Sequence, residues 1–239
     1  MIFPFEEHFY RERGVDATFV GHPLADLPCP NIARADFAAE FGLNPAKPWI
    51  TLMPGSRVKE VRMNLPTILE AAAKLGGSYE FILPFAATLD RNFLAGFLGN
   101  PKIVLVPEAL AALYHSRAGI IASGTATVEA AMMNTPFVMV YRVSSLTYLM
   151  GKPRVKVPRF AMVNLIAGEE VVPELVQKDF TAANVVARIN EILPDGIPRE
   201  RMLAGLASVR SKLCAPGATH PADRAARLIL NLEKLKPKS

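Results

Sequence analysis

The sequence predicts an α/β protein: a Rossmann-like parallel sheet with helices on both faces, followed by C-terminal helices. Three observations lead there. From residue 49 onward, short apolar runs alternate with helix-length patterns, the order expected of strands joined by crossover helices. The runs are nearly continuously apolar, as strands buried on both faces must be. Two of them end in small, turn-forming residues, Gly55-Ser56 and Ser123-Gly124, at the strand ends where open α/β sheets bind ligands.

The elements follow in order. Residues 1–22 stand apart from the core. They comprise an apolar start, Phe3-Pro4-Phe5-Glu6, a charged helix-like stretch and a strand at Ala17–Val20. Gly21-His22-Pro23-Leu24 then breaks the chain, and Pro23, Pro28 and Pro30 mark a linker in which His22 reads as a turn or hinge residue. Strands are expected at Trp49–Met53, Tyr79–Pro84, Lys102–Val106, Gly119–Ser123 and Phe137–Tyr141. Helical patterns lie between them, near 64–75, 89–98, 107–115, 125–133 and 144–150. Gly76-Gly77 stops the first of these, since glycine accepts the left-handed conformation of a helix end. Beyond Pro194, Met202, Leu203, Leu206, Val209 and Leu213 form one apolar helical face. A last helix starts near Pro221, with Asp223 in its first turn, and runs through Leu232.

Bulk properties narrow the function classes. The 239 residues are 51% hydrophobic and 21% charged, as in an ordinary globular protein of one large or two small domains. Cys29 and Cys214 are too few for a disulfide framework, and neither they nor the four histidines have metal-ligand spacing. No metal or other cofactor is expected. No signal-like apolar stretch is visible among residues 1–20, and no run approaches the roughly 20 residues of a bilayer span. The expectation is a cytoplasmic chain. A net charge of +5 favours anionic partners or simply solubility. Nucleic acid is not expected, because no basic stripe interleaved with aromatics is present.

Two loops carry candidate chemistry. Ser123-Gly124-Thr125 joins a buried strand to a helix whose early turns hold Glu129, so unpaired backbone N–H groups at that helix start suit a diphosphate. Met53-Pro54-Gly55-Ser56-Arg57 repeats the arrangement after the first strand, and Arg57 offers a planar fork for phosphate oxygens. Glu129 has two readings at this level. It is either a carboxylate favoured by the helix dipole or an acceptor for two ribose hydroxyls.

The ordered set of motifs resembles the bacterial lipid-A-disaccharide synthase family over nearly the whole chain. It comprises Pro4-Phe-Glu, Val20-Gly-His-Pro-Leu24, Gly-Ser-Arg with Arg57 and Glu60, Ser123-Gly-Thr-Ala-Thr-Val-Glu129, Asn164-Leu-Ile-Ala and Val172-Pro-Glu-Leu-Val-Gln177. The resemblance implies the C-terminal half of a two-domain GT-B glycosyltransferase. It divides the chain into an N-terminal-domain remnant (1–22), a UDP-sugar-binding domain (23–197) and helices that pack back toward the N-terminal half (198–239). The family transfers 2,3-diacylglucosamine from UDP to 2,3-diacylglucosamine 1-phosphate (lipid X), giving a β-1,6-linked disaccharide and UDP. By resemblance, Ser123, Gly124 and Thr125 face the diphosphate, Ser56 and Arg57 close on it, and Glu129 holds the ribose. Asn164, Glu174 and Gln177 match later motifs near the donor site.

Family members are considerably longer. The general base that must take the acceptor hydroxyl's proton is expected in their N-terminal half, so no catalytic residue is assigned here. Arg117 is a smaller departure, standing where the family usually has an acidic residue. The resemblance also implies peripheral attachment to the cytoplasmic face of the inner membrane, and a homodimer or a complementing N-terminal half as partner. Residues 141–163 fit that expectation, with an amphipathic Tyr141–Met150 followed by Lys152, Arg154, Lys156 and Arg159. A packed core helix followed by a solvated basic loop is the other reading. For function, the alternatives are a UDP-N-acetylglucosamine 2-epimerase-like enzyme of the same fold and a non-catalytic UDP-binding module.

Overall fold

A computed structural model describes residues 1–86, 88–97, 99, 102–143, 159–214 and 220–235. The five strands expected from residue 49 onward form: β1 (Trp49–Met53), β2 (Glu80–Pro84), β3 (Ile103–Val106), β4 (Ala118–Ala122) and β5 (Phe137–Tyr141). A sixth, β6 (Glu174–Val176), pairs with β5, so that Val140 lies opposite Leu175. All pairings are parallel, in the order β3-β2-β1-β4-β5-β6. The order reverses between β1 and β4, which opens a crevice at their carboxyl ends.

Burial explains the sheet. Ile50, Leu52, Phe81, Leu83, Ile120, Val138 and Val140 are almost fully buried, because helices cover both faces. β1 shows the alternation of faces directly. Ile50 and Leu52 belong to the main core, whereas Trp49 packs into a second apolar cluster with Phe37, Ile82 and Ala111. Between them, the Thr51 hydroxyl donates to the Ala112 carbonyl at 3.1 Å, so this buried polar group is satisfied.

The helices are α1 (Pro4–Arg11), α2 (Arg34–Phe41), α3 (Val58–Leu75), α4 (Arg91–Ala95), α5 (Ala109–His115), α6 (Ala126–Met132), α7 (Met162–Ala167), α8 (Ala182–Ile192), α9 (Ile197–Leu213) and α10 (Pro221–Leu235). α3 packs against α8 on one face of the sheet, while α6 adjoins both α5 and α7, and α9 lies across α6 and α7. On α9, Met202, Leu206, Val209 and Leu213 are buried and form the expected stripe.

Four expectations are corrected or fall outside the description. α3 begins at Val58, not near 64, because the Glu60 carboxylate caps its first turn by accepting the Arg57 N–H at 3.3 Å. Pro66 therefore lies inside the helix rather than in its first turn, where its missing N–H would have cost nothing. No strand forms at Ala17–Val20. The extended segment finds its partners elsewhere: Val20 N–H donates to the Met1 carbonyl at 3.0 Å and Phe19 N–H to the Glu7 carboxylate at 2.7 Å. The helix expected at 144–150, and Lys152, Arg154 and Lys156, lie outside the described residues. Arg159 is described, and its guanidinium donates to the Gly168 carbonyl at 3.0 Å.

The stretch after Gly21 is a 3-10 turn, Pro23–Asp26, fastened to the core. His22 is buried, its N–H donates to the Leu213 carbonyl at 3.0 Å, and its ring packs 4.7 Å from that of Phe3. Nδ1 accepts the Leu24 N–H at 3.1 Å, so that nitrogen is unprotonated. Burial holds the imidazole below the ordinary histidine value, while the charge of Glu6 works in the opposite direction.

Candidate functional site

A cleft of about 530 Å³ lies at the carboxyl ends of β1, β2 and β4, and its lining includes Gly55, Ser56, Arg57, Ser123, Gly124, Thr125 and Glu129. Two loops separated by more than 60 residues therefore meet, as the strand order requires, because β1 and β4 are neighbours.

The first loop is set by Gly55 and Glu60. Gly55 has φ +122°, a conformation open to glycine and strained for other residues. A Cβ there would also stand 2.6 Å from the Glu60 Cβ. The Glu60 carboxylate fills that space and accepts the Ser56 N–H at 3.0 Å, while its other oxygen pairs with Arg57 at 2.7 Å. Arg57 is 80% exposed, so its remaining donors stay available to a ligand.

From the other side, the loop is tied down by Asn64. Its side chain is buried, its amide donates to the Pro54 carbonyl at 2.9 Å, and its oxygen accepts the Arg142 N–H at 3.1 Å. Arg142 extends the connection to Thr67 and to the Phe180 carbonyl. Asn64 was not among the expected residues. The available signal was a polar residue on the apolar helical stripe of Val61, Leu65 and Ile68.

The second loop opens α6. Gly124 has φ +142°, and its carbonyl accepts both the N–H and the hydroxyl of Thr127, at 3.1 and 2.7 Å. No described residue accepts from the N–H groups of Gly124, Thr125 or Ala126, which precede or begin the helix. Ser123 is anchored differently, its hydroxyl donating to the Phe160 carbonyl at 2.9 Å.

Glu129 projects from the first turn of α6 between two cavities. It lines the cleft and also a more apolar hollow formed by 27–32 and 108–111. Its carboxylate has no hydrogen-bond partner among the described residues. Burial without a partner lifts its carboxyl above the ordinary glutamate value.

Asn164, Glu174 and Gln177 do not line the cleft. Asn164 is buried, donates to the Val172 carbonyl and the Glu174 carboxylate, both at 2.8 Å, and accepts the N–H groups of Val171 and Val172. Glu174 accepts the N–H groups of Phe160 and Ala161 at 2.9 and 3.0 Å. These residues therefore fix the position of Phe160, and through its carbonyl the hydroxyl of Ser123. Gln177 reaches the Val143 carbonyl at 3.3 Å and fastens the end of β6 to the chain beyond β5. Phe85 and Pro107 also line the cleft and were not expected, although each directly follows a strand end as Gly55 nearly does.

The family model described as lipid-A-disaccharide synthetase matches residues 1–203. The chain belongs to that family. It is 50% identical to the lipid-A-disaccharide synthase of Koribacter versatilis over 242 residues, covering 99% of this chain and 63% of that protein. It is also 50% identical to the Acidobacterium capsulatum lipid-A-disaccharide synthase, over 92% of this chain and 59% of the relative. The chain thus spans about 60% of the length of these members of the family. Among solved structures, it is similar to an S. aureus MnaA–UDP co-structure (TM-score 0.53, 16% identity, 98% of this chain and 59% of that one). It is likewise similar to the calicheamicin glycosyltransferase CalG4 (TM-score 0.52, 17% identity, 81% and 44%). These likenesses show the fold alone, an α/β architecture also found in glycosyltransferases such as CalG4. No helix among the described residues is long and apolar enough to cross a membrane.

Proposed function

We propose that this chain is the donor-nucleotide half of a lipid-A-disaccharide synthase and that UDP occupies the cleft between Gly55–Arg57 and Ser123–Thr125. One juxtaposition supports the reading: unsatisfied N–H groups at the start of α6, an exposed guanidinium and an unpartnered carboxylate line a single cleft. The diphosphate accepts hydrogen bonds from the N–H groups of Gly124, Thr125 and Ala126 and pairs with Arg57 beside Ser56. Glu129 accepts hydrogen bonds from the ribose hydroxyls. Asn164 and Glu174 act at a distance, by holding the segment that positions Ser123, and Gln177 braces the chain beyond β5.

With the portion that relatives have in addition, the assembled enzyme transfers 2,3-diacylglucosamine from UDP to 2,3-diacylglucosamine 1-phosphate. That portion supplies the general base, since the acceptor hydroxyl must lose its proton as it attacks. The exposed Phe5 and Phe9 of α1, and Ile229 and Leu230 of α10, offer apolar surface for it to cover. Attachment to the cytoplasmic face of the inner membrane, through 141–163, belongs to the same proposal and suits acylated substrates.

Calorimetry with UDP tests the first claim, and failure to bind UDP would sink it. Disaccharide formation should require a supplied N-terminal half. Turnover by this chain alone would show that its residues include the base.

A further inference from the structure

A concentration of positive charge lies at the other end of the sheet. A shallow hollow of about 460 Å³ is lined by Arg34, Lys47, His115, Arg117 and Arg199. Lys47 precedes β1 and Arg117 precedes β4, so the hollow opens at the amino ends of the strands. Five strand residues at about 3.3 Å each separate it from the donor cleft by about 16 Å.

The guanidiniums are rigidly placed. Arg34 stacks on Trp49, 3.7 Å from the ring centre, and donates to the carbonyls of Lys47 and His115. Arg199 donates to the carbonyls of Arg117 and Ile192 at 2.8 and 2.9 Å. Arg117 donates to the Leu193 carbonyl at 2.7 Å and to Asp195 at 2.5 Å. Neutral side chains could cap these carbonyls without mutual repulsion. Instead, the guanidiniums of Arg34, Arg117 and Arg199 share one hollow beside Asp195, which is 90% exposed, while the Lys47 ammonium turns to the Gly77 carbonyl and Glu80 in the neighbouring hollow. Burial lowers the proton affinity of Arg34 and Arg199, and the nearby charge of Arg117 adds to the effect at Arg199. Spare donors remain as well. Nη1 of Arg117, and Nε and Nη2 of Arg199, have no acceptor among the described residues.

We infer that this hollow is an anion site, distinct from the donor cleft, that binds a phosphate- or polyphosphate-bearing small molecule. Fixed guanidinium forks with unused N–H groups match phosphate oxygens, and an anion relieves the repulsion between them. The phosphate could be carried by a soluble molecule or by a lipid headgroup, and the shallow opening admits both.

The test uses the full chain saturated with UDP and titrated calorimetrically with inorganic pyrophosphate. One further pyrophosphate should bind. Arg117→Gln should weaken it about 10-fold, the effect of losing one charge-assisted contact, and Asp195→Asn should tighten it by removing the carboxylate that competes for Arg117. UDP affinity should not change. Asp195 is 90% exposed, so its variant remains informative if Arg117→Gln folds poorly. Flotation with phosphatidylglycerol vesicles separates the two sources. Flotation that weakens in Arg117→Gln and strengthens in Asp195→Asn assigns the phosphate to a lipid, and flotation that is absent or the same in all three proteins, beside altered pyrophosphate binding, assigns it to a soluble ligand. No further pyrophosphate bound, or pyrophosphate bound equally by all three proteins, overturns the inference. The outcome does not depend on the donor cleft, because a chain that failed to bind UDP would still be judged by these variants.

Discussion

Replacing Glu129 separates ligand recognition from stability in one residue. Its carboxylate is half-buried beside the cleft, accepts no hydrogen bond among the described residues, and has its proton affinity raised by that partial desolvation. If the ribose hydroxyls supply the missing donors, Glu129→Ala should weaken UDP binding by about 1.5–3 kcal/mol, the contribution of hydrogen bonds to a charged group. That is a loss of about 10- to 150-fold in affinity. The effect should vanish for 2′,3′-dideoxy-UDP, which has no hydroxyls to offer, so calorimetry of both ligands on both proteins completes a double-mutant cycle. Stability should move the other way. A carboxyl whose folded-state value is raised contributes stability below the ordinary glutamate range and loses it as pH rises through the folded value. At neutral pH the ionised group is therefore a burden on the unliganded fold, and Glu129→Gln should melt higher there but no higher near pH 4. Equal losses for UDP and its dideoxy analogue would refute the ribose assignment. A Glu129→Gln protein that melts lower at neutral pH would refute the desolvation reasoning.

Other positions give independent checks. Gly55→Ala imposes a positive-φ strain of about 1–3 kcal/mol and a contact with the helix-anchored Glu60 Cβ, so UDP affinity should fall about 5- to 150-fold in calorimetry. Asn64→Asp can donate to the Pro54 carbonyl only when protonated. Burial raises that carboxyl above the usual aspartate value, so chemical denaturation should show stability lost as pH rises through the raised value, with Asn64→Gln showing no such slope. Gly205→Ala places a Cβ 2.6 Å from Val171 Cγ1. The overpacking should cost about 1–3 kcal/mol and outweigh alanine's better helix propensity of about 1 kcal/mol. Adding Val171→Ala should recover part of the loss in a urea melt.

The strands were legible because a sheet covered on both faces needs continuous apolar runs, and Trp49–Met53 or Phe137–Tyr141 have no other use. β6 was not legible as a strand. It is three residues long, begins with a charged Glu174 whose carboxylate turns to Phe160 and Ala161, and buries only Leu175. Ala17–Val20 shows the converse error. Its pattern suits a strand, but a strand exists only where a neighbour supplies a ladder, and here Met1 and Glu7 take the hydrogen bonds. In the cleft, Gly55, Arg57, Ser123, Gly124 and Thr125 could be picked out because glycine and small residues at strand ends have a local meaning. Asn64 and Glu60 could not be assigned their work, because it depends on which backbone groups stand opposite them.

By itself, the sequence determined the alternation of strand and helix, the two small-residue loops and the family to which the chain belongs. These rest on local periodicity and on motif order, which survive without coordinates. The tertiary structure decided which loops meet. The order β3-β2-β1-β4-β5-β6 sets β1 beside β4 and so brings Gly55–Arg57 against Ser123–Thr125. It also sent Asn164 and Glu174 to a supporting role behind Ser123, and gathered Arg34, Lys47, Arg117 and Arg199 at the far end of the same sheet. Proximity between distant segments is set by strand pairing, and the residues that are brought together carry no local mark of it.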